Sequence, residues 1–177
     1  VAIEAARALG LIRTPVTRGA LLRFLDAARD NAPMAVVGEA LLSVGRHPRG
    51  DFTPVVRWTK ARDVEIRWRA TWALFRPRDP AVLGALFNLT SDPEVIVRNW
   101  AVRGLTWAQV DSARLDVSAV RTRLYALLAD PDRTVRTEAL RALGTHPDSL
   151  SVATVAERLK DLLAKLVAAL LEDVQQL

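Results

Sequence analysis

The chain has 177 residues, half of them hydrophobic and a quarter charged, which is a globular composition with enough length to bury a core of its own. No apolar run approaches the ~20 residues that a membrane-spanning helix needs, and the absence of cysteine rules out disulfides and thiolate metal sites. The net charge of +5 is concentrated in residues 57–78, where Arg57, Lys60, Arg62, Arg67, Arg69, Arg76 and Arg78 face only Asp63 and Glu65, so any electrostatic function belongs to that stretch.

In chain order, ten-residue amphipathic segments keep returning. "VAIEAARALG" (1–10) is followed by a second apolar stretch at Leu21, Leu22, Leu25 and Ala28. "VVGEALLSVG" (36–45) is followed by Phe52, Val55 and Val56, and "IRWRATWALF" (66–75) by Val82, Leu83 and Leu86. "VRNWAVRGLT" (97–106) precedes Val117, Val120, Leu124 and Leu127, and "VRTEALRALG" (135–144) is the cleanest copy. The aligned Ala5, Ala40, Ala70, Ala101 and Ala139 lie 35, 30, 31 and 38 residues apart, a period that marks stacked helical units. In the cleanest copy Val135, Ala139, Ala142 and Leu143 trace one buried helix face. Asp92-Pro93 and Asp130-Pro131 predict an N-cap carboxylate with proline at the first helical position, and Asp116 predicts a cap for the stretch after it. The pattern predicts an all-α solenoid of about five helix pairs over residues 1–148, with one long helix over 149–177.

"DPEVIVRNWAVRGL" and "DPDRTVRTEALRALG" resemble the short bacterial, PBS-lyase-type HEAT-like repeat, whose first helix reads D-P-x-x-x-V-R-x-x-A-x-x-A-L-G. The resemblance covers residues 1 to about 148 and departs from the pattern in the third unit, where Trp68 and Trp72 intrude and Asp63 lacks its proline. It implies that the Asp opening one repeat bonds along the stack to the Arg that follows the Val. Arg67, Arg98 and Arg136 hold that Arg position, whereas Ala2 and Val37 do not, so such a ladder is expected only in the C-terminal half. Because Val1 aligns with Val135, the D-P-x-x-x that should precede it is missing, and the array is expected to be a fragment of a longer one.

Residues 149–177 differ. No Gly or Pro interrupts them, and 29 helical residues would span about 43 Å. Leu163, Leu166, Leu170 and Leu177 belong to a broad apolar face, and every arginine lies at or before Arg158. Two readings stand side by side: a helix that caps the last repeat, and one whose distal half self-associates. The bias toward Leu, Ala, Lys and Glu also resembles an engineered helix.

Trp68 and Trp72 fall about 160° on either side of the core direction set by Ala139, so both indoles are expected to face outward, with Trp100 on the flank. Exposed Trp beside Arg is the chemistry of binding hot spots. The expectation is therefore a non-catalytic, cytoplasmic, protein-binding scaffold without a cofactor. It binds through Trp68, Arg69, Trp72, Arg76 and Trp100 and forms homo-oligomers through Leu163, Leu166, Leu170 and Leu177. Nucleic-acid binding by the same cationic stretch is the first alternative. "WAQVD" resembles the W-x-x-x-D element of HEAT-like alkylpurine DNA glycosylases, with Trp107 and Asp111 matching. A second alternative is an accessory array of a larger enzyme, such as a peptidyl-prolyl isomerase fusion, or an engineered scaffold. His47 and His146 each precede Pro and read as turn residues.

Overall fold

The computed structural model describes residues 1–28, 32–48, 50–77, 79–105 and 115–145, and in the C-terminal segment 153, 156–157, 159–161 and 163–164. Helices α1 (Ala2–Ile12), α3 (Met34–Val44), α5 (Val64–Phe75), α7 (Val95–Gly104) and α9 (Arg133–Gly144) carry the five aligned segments. Between them lie α2 (Pro15–Ala27), the single turn α4 (Thr53–Val56) running into a 3-10 turn (Arg57–Lys60), α6 (Leu83–Leu89) entered through a 3-10 turn (Pro80–Val82), and α8 (Val117–Leu127). No strand occurs among the described residues.

The odd-numbered helices stack side by side in one layer. In the second layer α2, α4 with its 3-10 turn, α6 and α8 each pack on the odd helix that follows. Burial repeats with the stack: Val37, Ala40, Leu41 and Val44 in α3, Ile66, Ala70, Ala73 and Leu74 in α5, Val97, Ala101 and Val102 in α7, Val135, Ala139 and Leu143 in α9. Small residues set the spacing between helices. A Cβ on Gly10 would lie 2.8 Å from the Ser43 Cα, and one on Gly45 would lie 2.9 Å from the Ala73 Cα, so α1 and α3, and α3 and α5, meet nearly backbone to backbone.

Two sequence expectations are corrected. Ala5 is exposed and its neighbour Ala6 is buried, so α1 turns a face one residue away from the one that Ala40, Ala70, Ala101 and Ala139 bury. The Asp-Pro pairs also do not cap helices in the predicted way. α9 is capped by Asp132, whose carboxylate accepts from the Thr134 and Val135 amides, and the N-cap of α7 is Glu94, which makes no side-chain cap. Asp92 and Asp130 stand two residues ahead of those N-caps, accept the Glu94 and Asp132 amides at 2.9 Å, and turn their remaining acceptor capacity along the stack. The predicted Asp116 cap is present, accepting from the Ser118 and Ala119 amides.

Candidate binding face

Two sets of side chains cross from repeat to repeat. The first is a guanidinium ladder. Arg67 Nε and Nη2 donate to the Asp92 carboxylate at 2.8 and 3.2 Å, while its Nη1 donates to the carbonyls of Ala61 and Arg62. Arg98 repeats this on Asp130 at 2.8 and 3.0 Å and on the carbonyls of Asp92 and Pro93. Arg136 holds the carbonyls of Asp130 and Pro131 in the same way. The fork of arginine suits this double duty, binding a carboxylate on one edge and carbonyls on the other. The ladder lies in the C-terminal half, where the HEAT-like resemblance placed it. At the seam between α3 and α5 its two positions are held by Val37 and Ala61.

The second set lies on the outer face of the odd-numbered layer. Glu4, Glu39, Arg69, Trp100 and Glu138 share one register position, and Arg7, Leu42, Trp72, Arg103 and Arg141 share another three residues on. At the ends of the stack the two positions exchange charge, Arg7 to Glu39 at 3.3 Å and Arg103 to Glu138 at 3.8 Å. In the middle they become aromatic. Phe75 stacks on Trp100 with ring centres 5.1 Å apart, and the Arg103 guanidinium covers both rings, 4.8 Å from Trp100 and 5.7 Å from Phe75. Arg69 lies 5.3 Å over Trp68 and Arg76 lies 5.4 Å over Trp72.

Of the predicted residues, Arg69, Trp72 and Trp100 occupy these two positions, with Trp68 and Arg76 beside them through their contacts with Arg69 and Trp72, and they are not equally free. Trp68, Trp72 and Trp100 are all half-buried. Trp68 leans on Val64 and on the Leu89, Val97 and Ala101 cluster, and Trp72 lies across Gly45 of α3. Arg69 is wedged against Gly38, where a Cβ would come within 2.4 Å of Nη1, and it pairs with Glu65 at 3.1 Å. Arg76 is exposed. Rings fixed by packing and covered by guanidinium groups form a rigid aromatic surface with a positive fringe, and little rotamer freedom remains to be lost on contact. Phe75 and Arg103 are the members that sequence reading missed. The available signal was that Phe75 stands where Gly10, Gly45 and Gly144 stand in other repeats.

No protein-family model and no curated protein matches the sequence. Among solved structures, the chain is similar to YibA of Escherichia coli at 22% identity, over 88% of this chain and 57% of YibA, with a TM-score of 0.61. A designed armadillo repeat protein in complex with the peptide (KR)4 matches at 18% identity over 86% of this chain and 79% of that one, TM-score 0.59. The complex of CpcE and CpcF of phycocyanin lyase from Nostoc matches at 19% identity over 80% and 97%, TM-score 0.55. The chain has the fold of a helical repeat solenoid.

The solenoid spans little more than half of YibA. Its cationic stretch is not one patch: Arg67 belongs to the ladder, Arg69 and Arg76 to the aromatic row, and Arg57, Lys60 and Arg62 to a separate edge. Trp58 is buried and its Nε1 donates to the Leu25 carbonyl at 3.1 Å, tying the second-layer helices together. His47 is a buried turn residue whose ring nitrogens find no hydrogen-bond partner among the described residues. Trp107, Asp111 and His146 lie outside the described residues, as do Leu166, Leu170 and Leu177, whereas Leu163 is 60% exposed. Among the described residues no helix is long and apolar enough to cross a membrane.

Proposed function

We propose that the solenoid is a non-catalytic scaffold that binds a protein partner on the row centred on Trp72, the partner presenting an acidic segment. The observation that carries this reading is the change along the stack: charge pairs between odd-numbered helices at both ends, and between them the half-buried indoles of Trp68, Trp72 and Trp100, each under an arginine. Trp and Arg dominate binding hot spots, and an exposed guanidinium on an aromatic ring favours a carboxylate arriving from solvent. The designed armadillo repeat protein similar in fold holds a cationic peptide; here the sign of the fringe is reversed, and so is the partner's.

Fluorescence anisotropy with labelled (Glu-Leu)4, (Lys-Arg)4 and a single-stranded oligonucleotide tests the reading. The acidic peptide should bind preferentially, and Trp72→Ala or Arg76→Glu should each weaken it about tenfold, roughly 1.4 kcal/mol. Preference for the basic peptide overturns the proposal, and preference for the oligonucleotide with a steep salt dependence transfers the face to nucleic acid. The reading includes self-association through Leu163, Leu166, Leu170 and Leu177, supported by Leu159 and Leu163 standing 55% and 60% exposed. Light scattering at tens of micromolar that returns a monomer, unchanged by Leu166→Asp with Leu170→Asp, removes that part.

A further inference from the structure

We infer that the seam between α3 and α5, which lies next to the guanidinium ladder and lacks both of its partners, is a binding site for a phosphate monoester that carries an apolar group. Ala61 and Arg62 occupy the place of Asp92-Pro93 and Asp130-Pro131, since all three pairs give their carbonyls to the ladder arginine of their own repeat. In the two later repeats the Asp carries the bridge from the preceding repeat. At this seam neither half of the bridge exists, because Val37 replaces the arginine and Ala61 the aspartate. A cavity of about 620 Å³ opens here, within the size range of small-molecule sites.

Its lining is strongly biased in charge. Arg57, Lys60 and Arg62 border it, with Asp63 as the only described acid. Arg57 is held in place, its Nη1 donating to the Asp26 carbonyl at 3.1 Å and its guanidinium 5.0 Å over Trp58. Lys60 and Arg62 are exposed and, among the described residues, neither pairs with a carboxylate. The Asp63 carboxylate is engaged by the Glu65 amide at 2.8 Å, as the cap of α5. Met34, the first residue of α3, forms part of the wall, and the N-cap of that helix, Pro33, offers no side-chain acceptor, so the positive end of α3 adds to the field.

Among the described lining residues, three cations against one acid leave a net of two positive charges, which matches a dianionic phosphate better than a lone carboxylate. Trp58 and Met34 supply an apolar wall that inorganic phosphate would leave unused. The site stands apart from the aromatic row, so either proposal survives the failure of the other.

Titration calorimetry of the whole chain with phenyl phosphate, inorganic phosphate, benzoate and phenol tests it. Phenyl phosphate should bind most tightly, inorganic phosphate about tenfold more weakly, and phenol not at all. Lys60→Gln with Arg62→Gln should weaken phenyl phosphate at least about tenfold. Ala61→Asp, which restores the residue type of the later repeats, should do the same with the melting temperature unchanged. No binding of phenyl phosphate, equal binding by phenol or benzoate, or unchanged binding in both variants overturns the inference.

Discussion

At the scale of single residues, the pair of Arg98 with Asp130 is a largely buried ion pair of the ladder. Both side chains are largely withdrawn from water, 12% and 6% exposed, and the Asp130 carboxylate also accepts the Asp132 amide at the start of the last repeat. Removing one partner of such a pair leaves the other charge desolvated without compensation. Asp130→Ala should therefore cost about 3 kcal/mol in urea unfolding, whereas Glu4→Gln, in a pair whose side chains are 49% and 67% exposed, should change stability by less than about 0.5 kcal/mol. His47 makes a prediction of opposite chemistry. Its burial lowers the pKa of the imidazole below the ordinary value; the Leu9 backbone opposes this in part, and the charges of Arg18 and Arg13 add smaller effects in the lowering direction. The unfolded chain then takes up a proton that the folded chain refuses. Stability attributable to His47 is complete above the unfolded pKa of about 6.5 and is lost as pH falls below it. Unfolding measured from pH 7.5 down to 5.5 should show this decline, and His47→Gln should flatten it.

Among the elements, packing distance decides what each helix tolerates. The outer edge of α3 ends at Gly45, whose missing side chain is replaced by the Trp72 ring and the Ala73 backbone of α5. A Cβ there would meet the Trp72 Cζ3 at 2.6 Å, so Gly45→Ala should destabilise by about 1–3 kcal/mol and displace the ring on which the proposed partner docks. Gly84 in α6 is the contrast, since a Cβ there meets nothing within 4 Å. Gly84→Ala should raise stability by about 0.5–1 kcal/mol through helix propensity alone. Thermal melts of the two variants, compared with the tryptophan emission of each, separate a packing effect from a propensity effect.

In the molecule as a whole, stability should follow position in the stack. α5 is flanked by α3 on one side and α7 on the other, whereas among the described residues α1 packs chiefly on α3 and α2, and Leu11, Ile12 and Val16 near its end are exposed. Repeat arrays gain their stability from nearest-neighbour interfaces, so opening should begin at α1 and reach α5 last. Native-state hydrogen exchange should find the slowest amides in α5 and α7; protection of α1 equal to theirs would contradict a stack of semi-independent interfaces.

The repeat period and the helical class were legible in the sequence because each depends on local spacing, and the guanidinium ladder was implied by the resemblance to HEAT-like repeats. Helix periodicity places Val135, Ala139 and Leu143 on one face whatever lies opposite, and an Arg that follows a Val at a fixed distance from an Asp-Pro returns with the repeat. The same locality explains the errors. Asp92-Pro93 and Asp130-Pro131 look like caps in isolation, and only the approach of Arg67 and Arg98 from the preceding repeat assigns those carboxylates to the ladder. Ala5 fits the pattern, yet Ala6 is the residue that α1 buries. The Phe75–Trp100 stack, the wedge of Arg69 on Gly38 and the cavity beside Ala61 join residues from adjacent helices. Their distances depend on how closely two helices pack, and so tertiary structure alone decided them.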